Sequence, residues 1–139
     1  MERIVVGVDG SEAGRDALRW AMDEARRCNA TVEAVHAWHQ PGVMSYGYLG
    51  QLDMEPFEED AQRVLDAAFE GVDTSGVAVE RRLVPGGAAA VLVEEAKGAD
   101  LLVVGSRGRG GFSGLMLGSV SQQAPHHAPC PIVIIPPTA

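Results

Sequence analysis

The residues with the clearest chemical potential form a glycine-rich segment in the last third of the chain. Five glycines fall between residues 105 and 114, directly after the apolar run Leu101–Val104. Glycine permits positive φ and lets backbone amides approach a ligand closely. Arg107 and Arg109 add positive charge here, although the whole chain has a net charge of −8. The combination favours a phosphate site, and a surface loop with two solvated arginines is an equally good interpretation.

A helix start follows the glycines. Gly118-Ser119-Val120-Ser121 has the composition of the first turn of a helix. The first amides of a helix have no intrahelical partner and carry partial positive charge, so they bind anions. Ser119 and Ser121 add hydroxyl donors. The pattern predicts that one phosphate ligand contacts both the glycines and this helix start.

Two common phosphate motifs are absent from the segment. A P-loop requires lysine after its second glycine, but Gly110 is followed by Gly111 and Phe112. The dinucleotide fingerprint fails because Ser113 stands at the position of its third glycine. That fingerprint also belongs in the first strand–helix turn rather than the fourth. Hydride transfer is therefore poorly supported.

Short apolar runs rich in β-branched residues predict the strands that position this segment. They are Ile4–Val8, Val32–Trp38, Val77–Val84, Leu101–Val104 and Ile132–Ile135. The last two runs show no polar alternation, which is typical of parallel strands covered on both faces.

Amphipathic stripes between these runs predict helices. The stripes are Ala13, Ala17, Leu18, Ala21, Ala25 and Cys28; Phe57, Ala61, Val64, Leu65 and Ala68; and Ala88, Val91, Leu92 and Ala96. Ser11 is expected to cap the first helix, while Gly71 and Gly98 end the second and third. With the helix that starts near Gly118, the pattern predicts an α/β domain of five strands and four helices over residues 1–139.

A ligand site in such a fold depends on strand order. Ligands bind beyond the carboxyl ends of the strands, where the strand order reverses. If the first and fourth strands are neighbours, the turn Asp9-Gly10-Ser11 faces the Gly105 segment across one crevice. Asp9 would then bond a sugar hydroxyl or a base, with a turn-forming or capping role as the alternative. Ser11 is expected to be a cap rather than a nucleophile.

Composition excludes several classes of function. A chain of 139 residues with 46% hydrophobic residues fits one domain that folds without a disulfide or metal. The net charge of −8 disfavours binding to nucleic acid. No apolar run approaches the roughly 20 residues of a membrane helix, and Gly7 and Asp9 interrupt the only apolar run near the start. A cytoplasmic protein is expected.

The cysteines and histidines suggest no metal site. Cys28 and Cys130 are expected to be free, partly hydrophobic thiols, with a pair as the alternative. His36, in a strand, is expected to be a hydrogen-bonded core imidazole. The adjacent His126 and His127 point about 100° apart on a helix and cannot share one metal. The irregular segment 39–55, which begins at His39, is either a lid over a ligand or an ordinary flexible loop.

The whole chain resembles the universal stress proteins. The similarity opens with residues 6–11, continues through 17–21 and 35–38, and ends with 121–123 and 126–131, which are similar to actinobacterial members. Its most specific part is Gly, two residues, Gly, nine residues, Gly-Ser, present as Gly105, Gly108, Gly118 and Ser119. This spacing resembles the branch of the family that binds ATP.

The resemblance implies a three-layer, open, doubly wound parallel sheet of order 3-2-1-4-5, with ATP and Mg²⁺ in the crevice. It places Gly7, Val8 and Asp9 at the base and ribose, Ala37 at adenine, and Val104, Gly105, Arg107 and Gly108 at the ribose and first phosphates. It places Gly118, Ser119, Val120 and Ser121 at the outer phosphates, with a divalent cation bridging these. It also implies a homodimer through the last strand, Ile132–Ile135. Pro125 departs from a regular fourth helix and predicts a short or kinked one.

The function implied by the resemblance is nucleotide-dependent regulation of stress adaptation. No general base or activated nucleophile is evident, so any ATP hydrolysis is expected to be slow and the protein is not expected to be an enzyme. One alternative is a protein-interaction module of the same fold that needs no nucleotide. Another is an adenylyl-transfer or pyrophosphatase enzyme, although the first strand–helix turn lacks the Ser-Gly-Gly-x-Asp-Ser loop of those domains.

Overall fold

A parallel sheet is the centre of the fold. The computed structural model describes residues 1–38, 55–106 and 129–136. Within them the strands are β1 (Arg3–Gly7), β2 (Thr31–Trp38), β3 (Val79–Pro85), β4 (Leu101–Gly105) and β5 (Ile132–Ile135). All neighbouring pairs are parallel, and the order is β3-β2-β1-β4-β5. The expected order is confirmed, and each strand begins within two residues of its predicted start.

Helices cover both faces of this sheet. The described residues contain α1 (Glu12–Cys28), α2 (Glu55–Ala67) and α3 (Ala88–Glu95). Residues of α1 and α2 share one buried cluster with the sheet, and residues of α3 share the other. The described part of the chain thus shows three helices in the layers expected. The predicted fourth helix, together with Pro125, lies outside the described residues.

The two central strands are buried on both faces. Ile4 and Val6 of β1 belong to the cluster under α1, whereas Val5 belongs to the cluster under α3. All three are fully buried, and the four apolar residues of β4 divide between the two clusters in the same way. Continuous apolar runs therefore indicated these strands because both faces of each strand contact a core.

Burial differs from expectation at the margins of the fold. Ile134 in β5 is 39% exposed and its neighbours in the strand are half-buried, so the continuous apolar run was wrong to indicate coverage on both faces, whereas the edge position implied by the resemblance is confirmed. The reason is that β5 is an edge strand of the sheet and has a neighbouring strand, β4, on one side only among the described residues. Phe57 is 40% exposed because the buried contacts of α2 begin one turn later, at Ala61. Met22, which was not assigned to the α1 stripe, is buried there.

Candidate functional site

The strand order places a topological switch point at the carboxyl ends of β1 and β4. These strands are hydrogen-bonded neighbours. After β1 the chain continues to β2 on one side, and after β4 it continues to β5 on the other side. Chain paths that diverge in this way mark the switch point at which open α/β sheets bind ligands. The described residues at this edge therefore form the candidate site.

Asp9 and Ser11 build the turn that leads from β1 into α1. Asp9 is only 6% exposed, and its Oδ1 accepts hydrogen bonds from the backbone N–H of Ser11, at 2.9 Å, and from the Ser11 hydroxyl. Ser11 Oγ in turn accepts from the N–H of Gly14 at 3.1 Å. Gly10 between them has a φ of 84°, a conformation that favours glycine. The expected cap is confirmed, and Asp9 forms the turn; its bond to a sugar hydroxyl or a base stays a prediction.

The first turn of α1 lies between Asp9 and the end of β4. A Cβ atom placed on Gly105 would stand 2.8 Å from the carbonyl oxygen of Ala13. One placed on Gly14 would stand 3.0 Å from Asp9 Oδ1. Side chains at these positions would push the elements apart, so glycine permits the close approach. The structure therefore brings Asp9, the start of α1 and Gly105 close together.

His36 holds the same turn from the side of β2. Its Nδ1 lies 2.9 Å from the carbonyl oxygen of Val8. Because a carbonyl only accepts, Nδ1 carries the hydrogen of this bond. Burial lowers the pKa of His36 below its usual value, so the imidazole is neutral at pH 7. The predicted hydrogen bond of the imidazole is confirmed, but the side chain is half-buried rather than part of the core.

Other predicted site residues lie on β1, β2 and β4 or directly after β1. A Cβ atom placed on Gly7 would stand 2.7 Å from Leu92 Cδ1, Val8 is fully buried, and Ala37 is half-buried near the end of β2. Val104 is fully buried on the α3 side of β4. The remaining predicted residues, Arg107, Gly108, Gly118, Ser119, Val120 and Ser121, lie outside the described residues, as do His39, His126 and His127 and nearly all of the 39–55 segment.

Ser106 is a polar residue of this edge that sequence reasoning missed. Its backbone N–H donates to Ile135 at 2.8 Å. Its Oγ is buried and has no hydrogen-bond partner among the described residues. The available signal was a hydroxyl immediately after a continuous apolar strand.

The described part of the chain offers no ready metal site. Residues 1–38, 55–106 and 129–136 contain no group of three or more His, Cys, Asp or Glu residues close enough to hold an ion. Cys28 and Cys130 are both free and half-buried, as expected, and burial raises the pKa of the Cys130 thiol. None of the helices in these ranges has the length and apolar character needed to cross a membrane.

Sequence comparison agrees with the geometry. Residues 1–136 match the universal stress protein family. The chain belongs to this family. A universal stress protein of Mycolicibacterium smegmatis is 38% identical over 136 residues, which are 96% of this chain and 45% of that protein. The chain thus spans about half the length of the curated family members that it matches.

Solved structures of the family include adenine nucleotide complexes. A universal stress protein in complex with cAMP has a TM-score of 0.71 and 26% identity, with 96% of each chain covered. The universal stress protein from Archaeoglobus fulgidus in complex with dAMP has a TM-score of 0.69 and 25% identity, with 97% of this chain and 98% of that chain covered. The family and its fold are therefore shown for this chain.

Proposed function

We propose that this chain binds an adenine nucleotide at the carboxyl edge of β1 and β4, with ATP as the physiological ligand. The observation that carries the proposal is the packing of the first turn of α1 between Asp9 and Gly105. This packing places a helix start and two strand ends at one switch point. Binding of cAMP and dAMP by two family members of the same fold supports it.

The adenosine half of the ligand would contact described residues. Gly7, Val8 and Asp9 would line the base and ribose, and Ala37 would meet adenine at the end of β2. Both backbone polar groups of Val8 are already engaged, since its N–H donates to Val35 and its carbonyl accepts from His36. We therefore assign Val8 an apolar contact and leave polar recognition of adenosine to its neighbours.

The phosphate half of the ligand would contact the glycine-rich segment. Val104, Gly105, Arg107 and Gly108 would line the ribose and first phosphates. Gly118, Ser119, Val120 and Ser121 would hold the outer phosphates, with Mg²⁺ bridging the phosphate oxygens. Support for a triphosphate comes from the spacing of Gly105, Gly108, Gly118 and Ser119 in the sequence.

The cellular role that we propose is regulatory. A cytoplasmic homodimer, paired through β5, would change its stability and conformation with nucleotide supply, and hydrolysis would be slow at most. A ligand at 100 times its Kd adds about 2.7 kcal/mol to the free energy of unfolding. That increment is large enough for the nucleotide to act as a switch.

Isothermal titration with ATP, ADP, AMP and cAMP, each with and without Mg²⁺, tests the proposal. We expect saturable binding of ATP–Mg²⁺ to the wild type and a loss of at least about tenfold in Gly118→Val, about 1.4 kcal/mol. The control variant Ala90→Val also introduces a valine, at an exposed position of α3, and it should bind ATP–Mg²⁺ as the wild type does. Absence of binding for every adenine nucleotide, with an unchanged melting temperature, would favour the protein-interaction module instead.

A further inference from the structure

A buried carboxylate lies at the amino edge of the sheet, opposite the candidate nucleotide site. Glu33 is the third residue of β2, between Val32 and Ala34, and is 3% exposed. Burial of a carboxylate is costly unless partners compensate for the lost water. Glu33 therefore depends on the charges placed around it.

Two arginines flank the Glu33 carboxylate. Arg3 of β1 places Nε 2.9 Å and Nη2 2.7 Å from Oε2. Arg82 of β3 places Nε 3.4 Å from Oε1, although Oε1 accepts no well-aligned hydrogen bond among the described residues. Both arginine side chains remain partly exposed, at 34% and 46%, so their charges are only partly desolvated.

A second carboxyl group completes the cluster. The side chain of Glu95, in the last turn of α3, is 15% exposed. Arg82 Nη2 lies 3.0 Å from Glu95 Oε1, so one guanidinium contacts both acids. Arg3 Nη2 also donates to the backbone carbonyl of Glu95 at 2.8 Å. The cluster thus joins β1, β2, β3 and α3.

The remaining charges near the cluster face solvent. Glu80, the register partner of Glu33 on β3, is exposed. Lys97, just after α3, pairs with Glu94, and Asp100 accepts hydrogen bonds from backbone amides at the start of the chain. No described cation beyond Arg3 and Arg82 contacts Glu33 or Glu95.

We propose that Glu33 and Glu95 form a proton-sharing carboxyl pair that strengthens the contact between α3 and β2 as the pH falls. Two adjacent carboxylates repel when both are ionised, whereas one proton between them converts the repulsion into a hydrogen bond. Because Glu33 lies on a strand and Glu95 on a helix, this proton strengthens the contact between two layers. The proposal does not depend on nucleotide binding.

The direction of the pH effect follows from burial. Burial raises the pKa of Glu33, Glu95 raises it further, and Arg3 opposes the rise without cancelling it. A folded pKa above the unfolded value of about 4.3 means that the folded state binds more protons between the two values. The contribution of Glu33 is thus fully present below the unfolded pKa and is lost as the pH rises through the folded pKa.

Urea unfolding between pH 7.5 and 4.5 compares the wild type with Glu33→Gln, Glu95→Gln and the exposed control Glu94→Gln. We expect the wild-type midpoint to rise relative to that of Glu33→Gln and of Glu95→Gln as the pH falls. Glu94→Gln should follow the wild type. Parallel pH profiles for all four proteins, or a wild type that loses stability relative to Glu33→Gln on acidification, would overturn the proposal.

Carbon-13 NMR of the glutamate carboxyl groups tests the pair without relying on Glu33→Gln to fold. In the wild type we expect Glu33 to titrate at a higher pH than a fully exposed glutamate, and the step to move down in Glu95→Gln. A Glu33 midpoint at or below that of Glu94 contradicts proton sharing. An unchanged Glu33 midpoint in Glu95→Gln contradicts the role of Glu95.

Discussion

The Nδ1 nitrogen of His36 lies 2.9 Å from the carbonyl oxygen of Val8. This bond ties the end of β2 to the segment that carries Asp9, across two neighbouring strands. The neutral imidazole of His36 donates this hydrogen bond. The carbonyl that accepts it belongs to Val8, the residue directly after β1 at the candidate site. Both the geometry of the edge and its response to pH therefore depend on His36.

Replacing His36 tests this bond. His36→Leu leaves the buried Val8 carbonyl without its donor, and we expect a loss of about 1–3 kcal/mol in the free energy of unfolding. His36→Asn retains an N–H near the position of Nδ1 and should lose less. Urea unfolding at pH 7.5 measures both variants, and equal losses in the two would contradict the assigned hydrogen bond.

The pH dependence of His36 has a definite sign. Its folded pKa lies below the unfolded value of about 6.5, so the unfolded state binds more protons between the two values. The wild type should lose the contribution of His36 as the pH falls through this window, and His36→Asn should not. This loss opposes the gain expected from Glu33. If the wild-type and His36→Asn stability profiles run parallel from pH 7 to pH 5, the imidazole is not buried as described.

Gly105 should tolerate no side chain. In Gly105→Ala the new Cβ would meet the backbone of Ala13 at 2.8 Å, and a backbone cannot rotate away. We expect a destabilisation of about 1–3 kcal/mol, measured by urea unfolding. Gly87→Ser is the control, because a Cβ there meets nothing within 4 Å and serine is also a good helix cap. A Gly105→Ala protein as stable as this control would show that β4 and α1 are not in close contact.

The proposed homodimer depends on β5. Ile134→Lys places a charge on an outermost strand where isoleucine is 39% exposed, so it should abolish pairing while changing folding stability by less than about 1 kcal/mol. Phe57→Lys changes another exposed apolar residue, on α2, and should leave the dimer intact. Sedimentation velocity of the three proteins gives the result. A monomeric wild type, or a dimer that persists in Ile134→Lys, would show that β5 is not a dimer interface.

The sequence predicted the parts of the fold that local pattern determines. The β1 and β4 runs are continuously apolar because both faces of each strand are covered, and that is visible without a structure. The Ser11 cap is likewise a local signal, because Ser11 Oγ accepts a hydrogen bond from the amide of Gly14, only three residues away. The turn hydrogen bonds of Asp9 required coordinates, because a turn-forming and a ligand-binding carboxylate look alike in the sequence.

Features that depend on contacts distant in sequence were not predicted. The need for glycine at residue 105 arises from Ala13, and the charge balance of Glu33 arises partly from Arg82, 49 residues away. The exposure of Ile134 depends on strand order, which the resemblance implied correctly but no single apolar run reveals. The predicted phosphate contacts at Gly118 and Ser119 lie outside the described residues and stay predictions.

Backbone amide NMR during titration with ATP–Mg²⁺ tests the central claim most directly. A nucleotide bound where β1 and β4 diverge should shift the amides of Asp9, Ser11, Gly105 and Ser106 most, and that of Thr31, at the amino end of β2, least. Shifts that are absent at saturating ATP, or largest around Thr31, would contradict adenine nucleotide binding at this edge of the sheet.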